Sequence, residues 1–334
     1  MLRYILLRVA WMPVGILFVV SILFFLVRLT PGGAVVAALG PYTTVEQVDA
    51  FKKEHGLDRP VGVQYINYIG DLLHGNLGES IVRGTAVSSE IGVFLPASVE
   101  LVLLSVGLII LLGVPLGVVA AIHKDRWPDF FARGLSIGGV SMPPFWLAIM
   151  LLLLFYYVLG WLPSGGRISI SVGPPTRITG LYTIDSLLTG NWRALGSAVL
   201  HMLLPALTLA ITSISSTTRL TRDGMLKALK EEFTTVAWAY GIKRRKIYFK
   251  YALKNGIMPT ITNLGMLSAR LFGGAFIVET VFSFPGLGYF ATSALLYQDY
   301  ASITGAAIVI SSLFLVANLV VDVIHLAVDP RIRS

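Results

Sequence analysis

The chain contains no cysteine in 334 residues, so neither a disulfide framework nor a thiolate metal site can hold it together. Charge is scarce too. Asp, Glu, Lys and Arg make up 13% of the residues, about half the ~25% usual in soluble globular domains. No G-x-x-x-x-G-K-[ST] run occurs, which removes the P-loop route to ATP hydrolysis, and no H-E-x-x-H motif offers a zinc site. One G-x-S-x-G match is present, Gly134-Leu135-Ser136-Ile137-Gly138. With His201 or His325 it outlines a serine hydrolase inside the membrane, but that motif needs a strand-turn-helix elbow. Here it opens an apolar helix, where its small residues are expected to form a close-packing face, as are Gly113 and Gly117.

What abounds is apolar: 55% of the residues are hydrophobic and the mean hydropathy is +0.77. A bilayer core ~30 Å thick needs roughly 20 apolar residues in a helix. Six windows meet that requirement, at 9–28, 99–122, 135–160, 198–218, 257–282 and 302–327. An all-α membrane protein with six transmembrane helices is expected. Arg3 and Arg8 before the first window, with AVVAA at 34–38, raise the alternative of a signal peptide. The apolar run exceeds the ~7–15 residues of such a segment, so an uncleaved first helix is expected. No internal repeat or interrupted span is visible, which gives a self-contained secondary carrier little support.

Once the spans are drawn, Lys and Arg sort unevenly. Arg3, Arg8, Lys124, Arg126, Arg133, ten residues between Arg219 and Lys254, and Arg331 and Arg333 fall on one side, 17 of the 26. Eight fall on the other, and Arg270 alone lies within a span. The positive-inside rule then puts both termini in the cytoplasm. A net charge of +8 is explained by topology, and a nucleic-acid partner is not expected. The segment 29–98 is placed outside; in it TVEQVDAFKKEHGL reads as a short helix with Thr44 as N-cap, Gln47 three residues on and Gly56 as a stop. QYINYIGDLLHGNLG reads as a second amphipathic piece. The segment is either a small external subdomain that meets a partner or a passive cover. A second external loop, 161–197, is rich in turn residues.

Ionisable residues inside spans are costly and default to functional hypotheses, which singles out Arg270, Glu279 and Asp322. Nine residues separate Arg270 from Glu279, so at ~100° per residue they face opposite sides of one helix. For Arg270 a structural ion pair or interface contact and a place along a substrate path stay open. Glu279, just before PGLG, is either part of that path or a loop anchor accepting backbone N–H groups. The stretch EEFTTVAWAYGIKRRKIYFKYALKNGIMP, 231–259, lies between two apolar windows. Glu232, Thr235, Ala237, Ala239 and Gly241 are its candidate coupling residues: small side chains let a helix sit in a partner's groove, and Gly241 permits a sharp turn.

That stretch resembles the cytoplasmic EAA loop of ABC-importer permeases, and its flanks resemble the dipeptide/oligopeptide branch. MLRYILLRVAWMPVGILFVVSILFFLVRLTPGG is similar to the branch's amino-terminal signature; GNLGES, SMPPFWLAIMLL, HMLLPALTLA and FGGAFIVETVFSFPGLGYF carry the likeness along essentially the whole chain. Ala237 and Gly241 occupy the third-position alanine and the glycine of E-A-A-x-x-x-G, while Thr235 and Val236 stand where the broad pattern has Glu and Ala. Lys254 stands where the broad pattern has its final proline.

The resemblance implies a type I ABC-importer permease fold in a bacterial inner membrane. It implies no catalysis and no cofactor in this chain. Its partners would be a second homologous permease, two ATP-binding subunits and a substrate-binding protein. The cargo would be di- or oligopeptides ahead of nickel chelates, glutathione, opines or small glycosides. The expected layout is a first helix (1–28), an external segment (29–98), a five-helix ABC transmembrane domain (99–328) with its coupling loop at 219–256, and a tail (329–334).

Overall fold

The computed structural model describes residues 2–29, 44–54 and 58–328. AVVAA at 34–38, the Gly56 stop and the tail at 329–334 lie outside the described residues. Long apolar sequences whose backbone cannot hydrogen-bond to lipid must satisfy it internally, and five helices are long and apolar enough to cross a membrane. They lie in α1 (Leu2–Leu29), α4 (Val87–Ile122), α8 (Trp192–Ala228), α11 (Met258–Val281) and α13 (Tyr300–Val328). Two short helices, α2 (Val45–Glu54) and α3 (Val61–Leu73), lie between the first two spans. Among the described residues there is no strand, only an isolated bridge between Glu79 and Ala86.

The sixth span differs from the continuous helix expected over 135–160. It is a pair, α5 (Trp127–Ser141) and α6 (Pro144–Val158), bent by 110° at the break between them. Pro143 and Pro144 cause the break. A residue before proline avoids the helical region, and Met142 is accordingly extended at φ −91°, ψ 125°. Pro144 then starts α6 at the position where a missing N–H costs nothing.

Helices also outrun their apolar windows. α4 begins at Val87, inside the segment expected to be external, and α8 continues to Ala228, ten residues into the expected coupling loop. Helix ends are set by caps and turns rather than by the edge of the apolar run. The Asn191 side chain accepts the Ala194 N–H at 3.0 Å at the start of α8. Thr44 and Gln47 form the reciprocal pair expected of a capping box: Gln47 N–H donates to Thr44 Oγ1 at 3.4 Å, and Thr44 N–H to Gln47 Oε1 at 3.2 Å.

α8 is the centre of the bundle. It packs against α4, α5, α6 and α11, and half of its apolar window is buried. Its buried Met202, Leu204, Leu209 and Ile214 join Leu101 and Ile109 of α4 and Leu267, Leu271 and Val278 of α11 in one core. Lipid gives packed helices no hydrophobic advantage over lipid-exposed ones, so close approach of small residues does much of the holding. Gly113 and Gly117 do this as expected: a Cβ at Gly117 would stand 2.6 Å from the Thr218 carbonyl oxygen and Thr221 Cβ.

The expected glycine face of α5 is corrected in register. Gly134 and Gly138 meet open space, whereas Gly139 lies against Ser215 and Ser136 donates to the Ser215 carbonyl at 3.2 Å. α1 packs on α13, where Arg8 pairs with Asp322 at 2.6 Å. This accounts for one of the in-span charges. Near the other end of α1, α3 is fastened through a 2.6 Å Ser21–Tyr65 hydroxyl contact and the rings of Phe24, Tyr65 and Tyr68.

Candidate functional site

Between α8 and α11 the chain forms a short helix, α9 (Glu232–Ala239), and a returning helical segment, α10 (244–256), that passes through a π turn at Ile247–Ala252. α9 is seated by its inner face. Thr234, fully buried, donates to the Ala228 carbonyl at 2.8 Å, and Ala237 is 5% exposed one turn on. Glu232, Thr235, Val236, Ala239 and Tyr240 face outward. Of the five candidate coupling residues, Glu232, Thr235 and Ala239 therefore present a surface, while Ala237 packs inward against the chain itself.

Gly241 ends α9 in a left-handed turn at φ +69°. Its N–H bonds the Trp238 carbonyl at 3.0 Å and the Ile242 N–H bonds the Ala237 carbonyl at 3.1 Å, the two bonds of a Schellman cap. Beyond its two chain neighbours, no atom of the described residues lies within 4 Å of the position a Cβ would take there. The glycine thus serves the backbone conformation rather than a close contact within the chain. Beside it a basic concavity of about 660 Å³ is lined by Tyr240, Lys243, Arg245, Lys246, Phe249 and Lys250. The segment is tied to the long helix where Gly224 of α8 crosses Gly256 of α10: a Cβ at Gly256 would stand 2.6 Å from the Gly224 carbonyl oxygen. α10 therefore meets α8 by direct backbone approach at this crossing, beside the side-chain packing of Ala252 and Leu253 on Met225 and Ala228.

Arg270 lies on the exposed side of α11 and has no ion pair among the described residues. It lines a concavity of about 300 Å³ with Pro144, Thr208, Thr212, Ser213 and Ser216. Glu279 occupies the opposite side of the helix and is fully buried. Its carboxylate accepts the Ser98 hydroxyl at 2.6 Å, the Gly288 N–H at 2.6 Å and the Tyr289 N–H at 3.2 Å. It thereby fastens the start of α12 (Leu287–Leu296) to α4 and α11. The geometry joins Arg270 to the concavity and gives Glu279 the contacts of a loop anchor.

Three clusters escaped the reading of the sequence. Arg167, in the loop 161–197, donates to Glu100 of α4 at 2.6 Å and to the Gly180 carbonyl at 2.7 Å, and its guanidinium lies 3.6 Å from the centre of the Tyr182 ring. Thr183 donates to the same Glu100 through its N–H at 2.7 Å and its hydroxyl at 2.6 Å. Asp185 of α7 (Tyr182–Leu188) gathers the N–H groups of Ile178, Thr179 and Gly180 and the Thr179 hydroxyl. Burial alone raises its pKa, but these hydrogen bonds outweigh that and hold the carboxyl below its ordinary value. A lowered folded-state pKa means the fastening is complete above the unfolded carboxyl's pKa and is lost only as pH falls through the lowered value. Finally, Asp129 at the start of α5 is held by Arg222 of α8 at 2.5 Å and Arg133 at 2.6 Å, which locks these helices together at one end.

Among the described residues the hydrolase constellation does not form. Ser136 is engaged with the Ser215 backbone, the His201 ring lies 2.7 Å from the Ser197 carbonyl, and no histidine bonds Ser136 among the described residues. The His325 side chain lies outside them. Nor is there, among the described residues, a group of three or more His, Asp or Glu side chains suited to a metal ion.

A bundle of membrane-spanning helices with a short helix between its fourth and fifth spans is the architecture of a type I ABC permease. The chain belongs to the family of binding-protein-dependent transport system inner membrane components. The model of that family matches residues 113–334, and the companion amino-terminal model matches residues 1–90. It is 39% identical to the probable D,D-dipeptide transport system permease protein DdpB of Escherichia coli K12, over 93% of this chain and 92% of that one. It is 34% identical to the dipeptide transport system permease protein DppB of Alkalihalophilus pseudofirmus, over 93% of each. Against DppB of Escherichia coli K12 the identity is 32%, over 100% of this chain and 99% of the other. The protein is a multi-pass inner membrane component of a transport system.

Proposed function

We propose that this chain is one of two permease subunits enclosing a path for di- or oligopeptides, which a binding protein delivers and ATP hydrolysis on separate subunits drives. The observation that carries the peptide assignment is likeness along the whole chain to relatives named for dipeptide transport. The outward residues of α9 support docking to an ATPase subunit, and the Gly224–Gly256 crossing supports transmission of its motion to α8. The Arg270 concavity supports a place on the path. Residues 58–86 and the loop 161–197 are assigned to the side that meets the binding protein.

The assignment is tested in proteoliposomes holding this chain, its partner permease, the ATPases and the binding protein. ATP-dependent uptake of a radiolabelled dipeptide is expected, suppressed by excess unlabelled dipeptide and untouched by glutathione or a nickel chelate. Uptake of one of those solutes in place of the dipeptide would overturn the peptide assignment.

The proposed orientation puts both termini and α9 in the cytoplasm. The natural absence of cysteine makes the chain its own clean background. Lys53→Cys and Ile170→Cys, both at exposed positions, are expected to react with an impermeant thiol reagent added to intact spheroplasts. Lys243→Cys is expected to react only after lysis. The reverse pattern would invert the topology.

A further inference from the structure

We propose that Arg270 is the group by which this subunit's face of the path takes hold of a carboxylate of its cargo, an inference that rests on the peptide reading above. Arg270 is the thirteenth residue of the 24-residue α11, so it sits about 18 Å along a helix that rises ~1.5 Å per residue. A guanidinium at that depth is tolerated only beside an anion, a carbonyl or water. Several other charges within or beside the spans have such partners: Arg8 has Asp322, Arg222 has Asp129, Arg167 has Glu100, and Glu279 accepts three donors. Arg270 is exposed into its concavity and has no ion pair among the described residues.

The lining sets what the complement must be. Thr208 donates its hydroxyl proton to the Leu204 carbonyl at 2.9 Å, Thr212 to Leu209 at 3.4 Å, and Ser216 to Ser213 at 3.0 Å. Their protons are spent on their own helix, which leaves these oxygens as acceptors; Thr212 and Ser216 are partly exposed, while Thr208 is buried beneath the concavity. Among the described residues no Asp or Glu lines it. The site thus pairs one planar fork of N–H donors with a row of neutral acceptors, between walls formed by Pro144, Leu209, Leu267 and Leu271. A guanidinium matches a carboxylate in bidentate geometry, and the hydroxyl oxygens match N–H groups close to that carboxylate. A free peptide terminus carries both. The volume, about 300 Å³, is at the lower end of ordinary small-molecule sites, which suits a terminus rather than a long chain.

The test uses the complete transporter in proteoliposomes, as wild type, Arg270→Lys and Arg270→Gln. The probe is a dipeptide with a photoactivated diazirine side chain and a free carboxylate. In the wild type, labelling is expected within 208–216 and 267–274, displaced by excess unlabelled dipeptide and far less by the same dipeptide amidated at its C-terminus. Arg270→Gln is expected to lose this labelling and to slow uptake from saturated binding protein by about tenfold to a hundredfold, the value of a charge-assisted hydrogen bond. Arg270→Lys, still cationic, should keep part of both. Unchanged labelling in Arg270→Gln, or equal displacement by the amide, would overturn the inference while leaving dipeptide uptake intact. If Arg270→Gln instead separates the two permeases on gel filtration, the arginine holds a partner's carboxylate and the proposal fails. A wild type that takes up no dipeptide would defeat the peptide reading itself.

Discussion

Gly241→Glu is expected to abolish transport while leaving the chain in the membrane. The glycine sits at φ +69° and closes α9 with two backbone hydrogen bonds. An L-residue pays ~1–2 kcal/mol to hold that conformation. If the turn gives way instead, α9 loses its C-terminal cap and Tyr240 leaves the face it shares with Glu232, Thr235, Val236 and Ala239. Beyond its chain neighbours no atom of the described residues lies within 4 Å of the Cβ position, so the new carboxylate would project into open space, where the ATPase is proposed to dock. Strain and intruding charge therefore act together.

A series separates the two causes. Gly241→Asn, which tolerates the left-handed region, should transport at a reduced rate. Gly241→Ala should fall below it from strain, and Gly241→Glu should be inactive. Exchanging Lys243 and Arg244 for glutamine should do little, since eight of the ten basic residues between Arg219 and Lys254 remain. The measurements are dipeptide uptake and retention of the ATPase through purification. Normal uptake with retained ATPase in Gly241→Glu would end the coupling assignment for this segment.

The spans were legible because a helix in lipid must be apolar over ~20 residues, and that signal survives in one sequence. The break in the third window was visible in Pro143 and Pro144, yet the apolar run hid it: hydropathy counts side chains and ignores a missing N–H. At α9 the pattern named candidate residues but not their faces. Thr234 and Ala237, three apart, share the inner face at helical period, which is why Ala237 is seated against the chain while Thr235 and Ala239 point away. The glycine face of α5 was misplaced for the same reason. A small-xxx-small spacing names a face, but only the neighbouring helix decides between Gly134 with Gly138 and Ser136 with Gly139. Glu279 showed its alternatives in the sequence because its backbone partners lie within ten residues. Glu100 and Arg167 are 67 residues apart, and no local periodicity couples them.

That pair carries the second large expected effect. Arg167 and Glu100 are 8% and 5% exposed and lie 2.6 Å apart, so removing one partner strands a buried charge. Breaking such a pair costs ~3–5 kcal/mol, more than an exposed ion pair contributes. Arg167→Met should therefore lower the unfolding temperature of the purified protein sharply and open the 161–197 loop to protease, because the Gly180 carbonyl and the Tyr182 ring lose their partner too. Glu100→Gln added to Arg167→Met should recover much of the loss. Its amide keeps an acceptor for the Thr183 N–H at 2.7 Å and removes the unpaired charge. If this loop meets the binding protein, Arg167→Met should also weaken the stimulation of ATP hydrolysis by loaded binding protein, and the double variant should regain it. Equal stability of the single and double variants would mean that stranded charge is not what Arg167 prevents. A stable Arg167→Met would mean that Asp185 and its four hydrogen bonds hold the loop without the arginine.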